Sequence, residues 1–195
     1  MDGVTQISSH PPSLAVRWSE HEARKPYARP FAVTFMDRDS TPMGGVAVSG
    51  SDLLYYRQFQ GAVLTLAGEL FLPAEVETSE EPQRLWLDLL SALLPASGDV
   101  ALVPASDFDE REGRRFHFRL AGEAFPWTRF SAASLLDYQE FQAALAHQTG
   151  RLHRRRAIEE LADQEVRRRA WIKEVREMLE RPAEDEAMSS AWPWR

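Results

Sequence analysis

An α+β fold, built from two tandem βββα(α) repeats whose strands form an antiparallel sheet covered by helices, is the architecture this chain predicts on three observations. The stretch 51–71, SDLLYYRQFQGAVLTLAGELF, is written again at 133–153 as ASLLDYQEFQAALAHQTGRLH, displaced by 82 positions without a gap. From Leu53 to Leu70, eight of eighteen positions are identical, among them Leu53/Leu135, Tyr56/Tyr138, Phe59/Phe141, Gln60/Gln142 and Gly68/Gly150, and a repeat of this kind constrains architecture strongly. Each copy carries an apolar stripe at helical spacing, Tyr56, Phe59, Val63, Leu66 and Leu70 in the first and Tyr138, Phe141, Leu145 and Leu152 in the second, so each needs a surface to cover. Ahead of each copy lie short segments that alternate between apolar and other residues, the period of a β-strand.

Residues 1–13 read as a flexible lead-in, and 14–181 as a single domain of two internal repeats, 14–97 and 98–181. In the first repeat, 14–18 and 31–36 alternate as strands, with Phe31, Val33 and Phe35 on one side and Ala32, Thr34 and Met36 on the other. DRDSTPMGG then reads as a turn from its Asp, Ser, Pro and Gly content, and 45–49 as a third strand. In the helix that follows, Ser51 is placed to cap the N-terminus and Gly68 the C-terminus; Ser134 and Gly150 take those places in the second copy, because a hydroxyl satisfies an orphan amide and glycine adopts the left-handed conformation cheaply. Apolar residues continue for a further turn beyond Gly68.

The acidic linker PAEVETSEEPQ contains a capping-box pattern, Thr78-x-x-Glu81, and Pro82 suits a first helical turn. A second helix spans 84–94 and stops at Pro95. The pattern then restarts: 100–103 as a strand, SDFDEREG as a polar loop, 114–120 as a strongly alternating strand and 127–131 as a third, before the second helix copy. Residues 151–181 read as one long charged helix with opposite charges four apart, as in Arg155/Glu159 and Lys173/Glu177. Its apolar positions include Trp171 and Val175 and suit docking on the chain's own sheet or on a partner. An acidic tail, 182–195, closes with AWPWR.

Composition narrows the function classes. Hydrophobic content of 44% and charged content of 27% are those of a globular protein. The absence of cysteine excludes disulfides, thiolate catalysis and thiolate metal sites. The N-terminus has no apolar core of a secretory signal, and no apolar run approaches a membrane span, so a cytoplasmic protein without membrane contact is expected. A net charge of −7 argues against a general nucleic-acid condenser but allows a local basic face.

No motif for catalysis emerges, and a non-enzymatic role without cofactor or metal is expected. Asp37-x-Asp39 and Asp107-x-Asp109 lie in non-equivalent loops, do not continue as EF-hand loops and read as polar turns. His10, His21, His117, His147 and His153 have no metal-binding spacing, and no phosphate-cradling glycine loop is present. The cluster His153–Arg156 reads as a solvated helix face. Two features point to binding. In RRFHFRL, period two sends Phe116, Phe118 and Leu120 toward the core and Arg115, His117 and Arg119 to the other face. If Arg17, Thr34 and Arg129 share that face, with Trp18, Tyr27, Trp127 and Phe130 nearby, it suits a single strand of DNA or RNA, whose phosphates meet cations and whose bases stack on rings. The opposing reading is the charge that open antiparallel sheets ordinarily present to water. The second feature is Trp192, Trp194 and Arg195, residue types that anchor protein interfaces; that tail either docks on a partner or folds back onto its own chain.

Tandem units of antiparallel sheet plus helix, with helix starts such as LLYYRQFQ and LLDYQEFQ, resemble the PUR-alpha and Whirly group of single-strand nucleic-acid binders over about 14–150. The resemblance implies a nucleic-acid-binding role and four strands per repeat, where this chain shows three, and it transfers no individual residue. The leading expectation is a binding subunit that contacts single-stranded nucleic acid within a larger assembly. The alternative is a protein-interaction scaffold using the C-terminal helix and tail; homo-oligomerisation is compatible with both.

Overall fold

The computed structural model describes residues 13–68, 70, 71, 73–109, 113–120, 123, 124 and 130–180, and of 103–109, 113–115, 119, 123 and 124 the backbone alone. The fold is mixed α+β, and the chain resolves into two compact units. The first comprises the chain up to Pro95 together with Ala143–Leu152; the second comprises Ala96–Gln142 and the chain from His153.

In the first unit, β1 (Ser13–Trp18), β2 (Phe31–Met36) and β3 (Pro42–Val48) form an antiparallel meander in that order, with α1 (Glu20–Ala23) in the first connection. The register pairs Val16 with Val33 and Val33 with Val46. This brings Leu14, Phe31, Val33, Val46 and Val48 to one buried face. Helices α2 (Gly50–Leu54), α3 (Tyr56–Ala67), α4 (Ala74–Glu77) and α5 (Pro82–Leu93) follow. In the second unit, β4 (Val100–Asp109), β5 (Gly113–Leu120) and the two-residue β6 (Glu123–Ala124) form a separate antiparallel sheet. Then come α6 (Ala132–Leu136), α7 (Tyr138–Thr149), α8 (Arg156–Glu159) and α9 (Gln164–Glu180). The expected combined sheet is therefore two sheets, because each strand pairs with its neighbour in sequence and each meander is complete in itself.

Several boundaries differ from the sequence expectation for local reasons. The helix expected over 51–71 begins earlier and is broken at Tyr55, which is extended at φ −91° and ψ 112°. Ser49, not Ser51, is the cap, through a reciprocal capping box with Asp52. Gln83 bridges the break: its Oε1 accepts from the Tyr56 amide at 2.9 Å and its Nε2 donates to the Leu54 carbonyl at 2.8 Å. The matching break at Asp137 is held by that residue's own carboxylate, which accepts from the Gln139 and Glu140 amides at 2.9 and 3.0 Å, while Ser131 caps α6 in place of Ser134. Gly68 and Gly150 are left-handed as expected, at φ 72° and 66°, and end α3 and α7.

The Thr78/Glu81 capping box does not form, since the Thr78 hydroxyl donates to the Ala74 carbonyl; that threonine closes the short α4, which lies inside the expected linker. Pro82 does open α5. Strand β4 continues to Asp109, through part of the expected polar loop, with a register shift between Pro104 and Phe108. For the strand expected at 127–131, the described part is an antiparallel bridge of Phe130 to Phe116. The long helix expected over 151–181 is divided into α8 and α9, with Asp163 accepting from the Val166 amide at 2.8 Å ahead of the second piece.

Each core is centred on a tryptophan. Trp86 on α5 donates to the Leu53 carbonyl at 2.8 Å and lies among Tyr56, Phe59 and Phe71, with ring centroids 5.4, 4.6 and 6.4 Å away. Trp171 on α9 donates to the Leu135 carbonyl at 2.9 Å and lies among Tyr138, Phe141 and His153 at 5.0, 5.0 and 6.2 Å. Apart from the tryptophans, each partner in the second set stands 82 positions after its counterpart. The helical stripe of the first copy is only partly core. Tyr56, Phe59 and Val63 are buried, whereas Leu66 and Leu70 are 44% and 50% exposed.

The two left-handed glycines differ in surroundings, and the difference makes a prediction. A Cβ at Gly150 would stand 2.6 Å from Trp18 Cγ, whereas at Gly68 nothing lies within 4 Å. Gly68→Ala is expected to cost only the left-handed penalty of about 1–2 kcal/mol. Gly150→Ala adds displacement of the Trp18 ring, whose Nε1 donates to the His147 carbonyl at 3.0 Å. Urea titrations of both variants check the order; equal losses would contradict it.

Candidate binding surfaces

The sheet of the first unit has one buried face and one open face. On the open face the register aligns Ala15 with Thr34 and Gly45, and Arg17 with Ala32 and Ala47. Ala15, Arg17, Ala32, Gly45 and Ala47 are exposed and Thr34 is half-buried. Arg17 and Thr34 thus share a face, as the alternation predicts. Open antiparallel faces ordinarily present polar side chains; among the described residues this one carries the small Ala15, Ala32, Gly45 and Ala47 around Arg17.

In the second unit, β5 buries Phe118 and Leu120. The alternate positions, His117 and Arg119, pair in register with Val103 and Ala101 of β4. His117 is half-buried, and its Nδ1 is enclosed without a hydrogen-bond partner among the described residues. Arg115 and Arg119 are described by backbone alone, and Trp127 and Arg129 lie outside the described residues. The expected single basic face is not one sheet: Arg17 and Thr34 belong to the first sheet, and positions 115, 117 and 119 to the second. Two expected stacking rings are also committed elsewhere. Trp18 is on the helix-covered side of β1, bonded to His147, and Phe130 is buried against Phe118 and Phe141 at 5.5 and 5.1 Å. Tyr27 is fully exposed.

The residues expected at a partner surface divide similarly. Trp171, at 1% exposure, Val175 and Met178 are buried in their own unit, whereas Val166 and Leu179 on the same helix are exposed. Trp192, Trp194 and Arg195 lie outside the described residues.

Of the expected solvated cluster 153–156, Arg156 is exposed and Arg155 half-buried, but His153 and Arg154 begin a largely covered polar network, which sequence reasoning missed. His153, 1% exposed, occupies the place that Phe71 takes in the first unit; it meets Phe141 edge-on at 5.5 Å and 83°, as Phe71 meets Phe59 at 6.1 Å and 88°. Its Nδ1 is 3.0 Å from Ser97 Oγ and its Nε2 is enclosed without a partner. Arg154 clamps Glu159 through Nε at 2.8 Å and Nη2 at 2.6 Å. The Tyr138 hydroxyl donates to Glu159 at 2.6 Å and accepts from the Arg155 amide at 2.7 Å, and Gln142 Nε2 reaches the His153 carbonyl at 2.6 Å. The first unit holds the reduced form, in which Tyr56 and Gln60 both donate to Glu77. The available signal was the Phe71/His153 difference between otherwise similar copies.

The electrostatics of this network follow from burial. Burial lifts the Tyr138 hydroxyl well above the ordinary phenol range. Burial opposes ionisation of Glu159 too, but hydrogen bonds from Arg154 and Tyr138 outweigh it and hold its carboxyl below the ordinary range. Burial, with Arg155 adding to it, drives His153 down to about 3. A histidine with so low a pKa is neutral and a feeble base at neutral pH. Among the described residues, no group of three His, Asp or Glu side chains is placed to hold a metal ion. Asp37 closes a turn, accepting from the Asp39 and Thr41 amides at 2.9 and 2.7 Å.

No family model, curated protein or solved structure matches this chain. Among the described residues, no helix is long and apolar enough to cross a membrane.

Proposed function

We propose that the two units are copies of one βββ-plus-helices module, and that the chain is a non-catalytic subunit contacting single-stranded nucleic acid through the sheet faces its helices leave open. The observation that carries this reading is the alternation in β5, where Phe118 and Leu120 are buried while Arg115, His117 and Arg119 occupy the intervening positions. The open face of small residues around Arg17 supplies a second candidate surface. Support for the duplication comes from α2, α3 and α4, whose bounds recur 82 positions later in α6, α7 and α8, and from the two tryptophan-centred cores. Cations on such a face follow phosphates, and close approach to an open sheet lets bases stack.

Fluorescence anisotropy of labelled single-stranded RNA and DNA, titrated at several salt concentrations, tests the reading. Engagement of Arg17, Arg115 and Arg119 is expected to give a log–log salt slope of about −2, from roughly 0.7 per phosphate contact. Arg115→Glu with Arg119→Glu is expected to abolish binding at moderate salt. An unchanged affinity in that double variant, or no binding of the wild type at low salt, would sink the reading.

A further inference from the structure

We propose that a second copy of this chain docks on the outer face of α3, through the surface around α6, so that copies associate head to tail. This interface is separate from the sheet faces discussed above and does not depend on nucleic-acid binding.

The exposed leucines of α3 motivate the proposal. Leu64 and Leu70 are 48% and 50% exposed, whereas the residues 82 positions later, Ala146 and Leu152, are fully buried. The later helix half is covered because it is part of the first unit: the His147 ring accepts from the Gly50 amide at 3.2 Å and the Leu152 amide donates to the Pro95 carbonyl at 2.9 Å. Leu54, at the end of α2, is buried in the same core. The counterparts of Gly50 and Leu54 in the second unit are open, with Ala132 exposed where Gly50 is buried and Leu136 44% exposed. One kind of helix-on-helix contact is thus made once within the chain, and the donor and acceptor surfaces of its second instance are both uncovered.

The sizes of the two vacant surfaces agree. A Cβ at Gly50 would stand 2.6 Å from the Ala143 carbonyl and from His147 Cβ, so the contact already made is a tight one, between a glycine and small residues. Ala132 enforces a wider spacing, and Leu64 in the place of Ala146 has the reach to fill it. A repeat whose terminal faces are uncapped stacks on its neighbours, and a contact between two different surfaces is heterologous, closing into a ring or extending as a chain of copies.

Sedimentation velocity on the full-length protein over a wide concentration range tests this. The wild type is expected to grow with concentration, and Leu64→Asp and Leu136→Asp, both at exposed positions, to remain monomeric with unchanged circular dichroism. Mixed together, these two variants retain one intact donor and one intact acceptor surface between them, and are expected to form a one-to-one dimer and nothing larger. A wild type that stays monomeric at every concentration would mean that something else covers these leucines, the chain's own tail included, and would overturn the proposal. So would either variant associating with itself, or a mixture that fails to pair.

Discussion

Trp171→Ala is expected to be the most damaging single substitution in the second unit, lowering the free energy of unfolding by about 3–5 kcal/mol. The indole is 1% exposed and packs against Tyr138 and Phe141, each with ring centroids 5.0 Å away. Truncation opens a cavity that these rings cannot collapse to fill, because Tyr138 is tied to Glu159 and to the Arg155 amide. It also strands the Leu135 carbonyl, which accepts from the indole nitrogen. Trp171→Phe separates the two effects: it retains much of the packing and loses the bond, so about 1–3 kcal/mol is expected. Trp86→Ala is expected to do comparable harm in the first unit, where the indole bonds to Leu53. Against a typical total of about 5–15 kcal/mol, either truncation brings its unit close to unfolding. Urea denaturation followed by circular dichroism measures the losses, and a cost below about 1 kcal/mol for Trp171→Ala would show that the cage does not hold the unit together.

Acidification is expected to destabilise the second unit through His153 before its carboxylates titrate. In the folded state the pKa is about 3, against 6.5 for the unperturbed side chain. The unfolded chain therefore binds more protons between these values, and the stability from burying a neutral ring is complete above about pH 6.5 and lost as pH falls toward 3. Once well inside that window the loss approaches about 1.4 kcal/mol per pH unit. The charged groups that bear on the ring have opposite effects, Arg155 opposing its protonation and Glu159 favouring it. His147, also lowered by burial, adds a smaller dependence of the same sign in the first unit. Glu159, held below its ordinary range, contributes only at the acid end, where its stabilisation is lost as it protonates. The diagnostic variant is His153→Phe, since Phe71 already fills the matching place beside Phe59 and Trp86. It is expected to fold, with a markedly flatter stability profile between pH 6.5 and 4.5. If the wild-type profile is flat there, or the variant's slope is as steep, His153 does not govern the acid response.

The legible parts of the fold were those set by local chemistry. The strands at 14–18 and 31–36 and the caps Gly68 and Gly150 follow from alternation and from a conformation that glycine favours. The breaks at Tyr55 and Asp137 were less visible, because at Tyr55 the partner that bridges the gap, Gln83, is distant in sequence. The candidate surfaces were legible as positions and not as environments. Arg17 and Thr34 do share a face, but the single face on which they were to join positions 115, 117 and 119 does not exist, because those positions belong to a different sheet. Nor could composition separate His153, which is buried, and Arg154, which is ion-paired and mostly covered, from ordinary solvated basic residues.

The elements legible without any tertiary contact are the alternating strands at 14–18 and 31–36 and the two aromatic-striped helices; Trp171, expected at a partner surface and found buried, is not among them. Those elements follow from spacing along the chain, where a period of two or 3.6 sorts residues onto faces before any tertiary contact exists. The tertiary structure alone decided which faces are covered. Equivalent positions such as Leu70 and Leu152 differ in exposure because burial depends on what the rest of the chain brings to that surface, and only one of the two helices is met by a Trp18 and a Gly50.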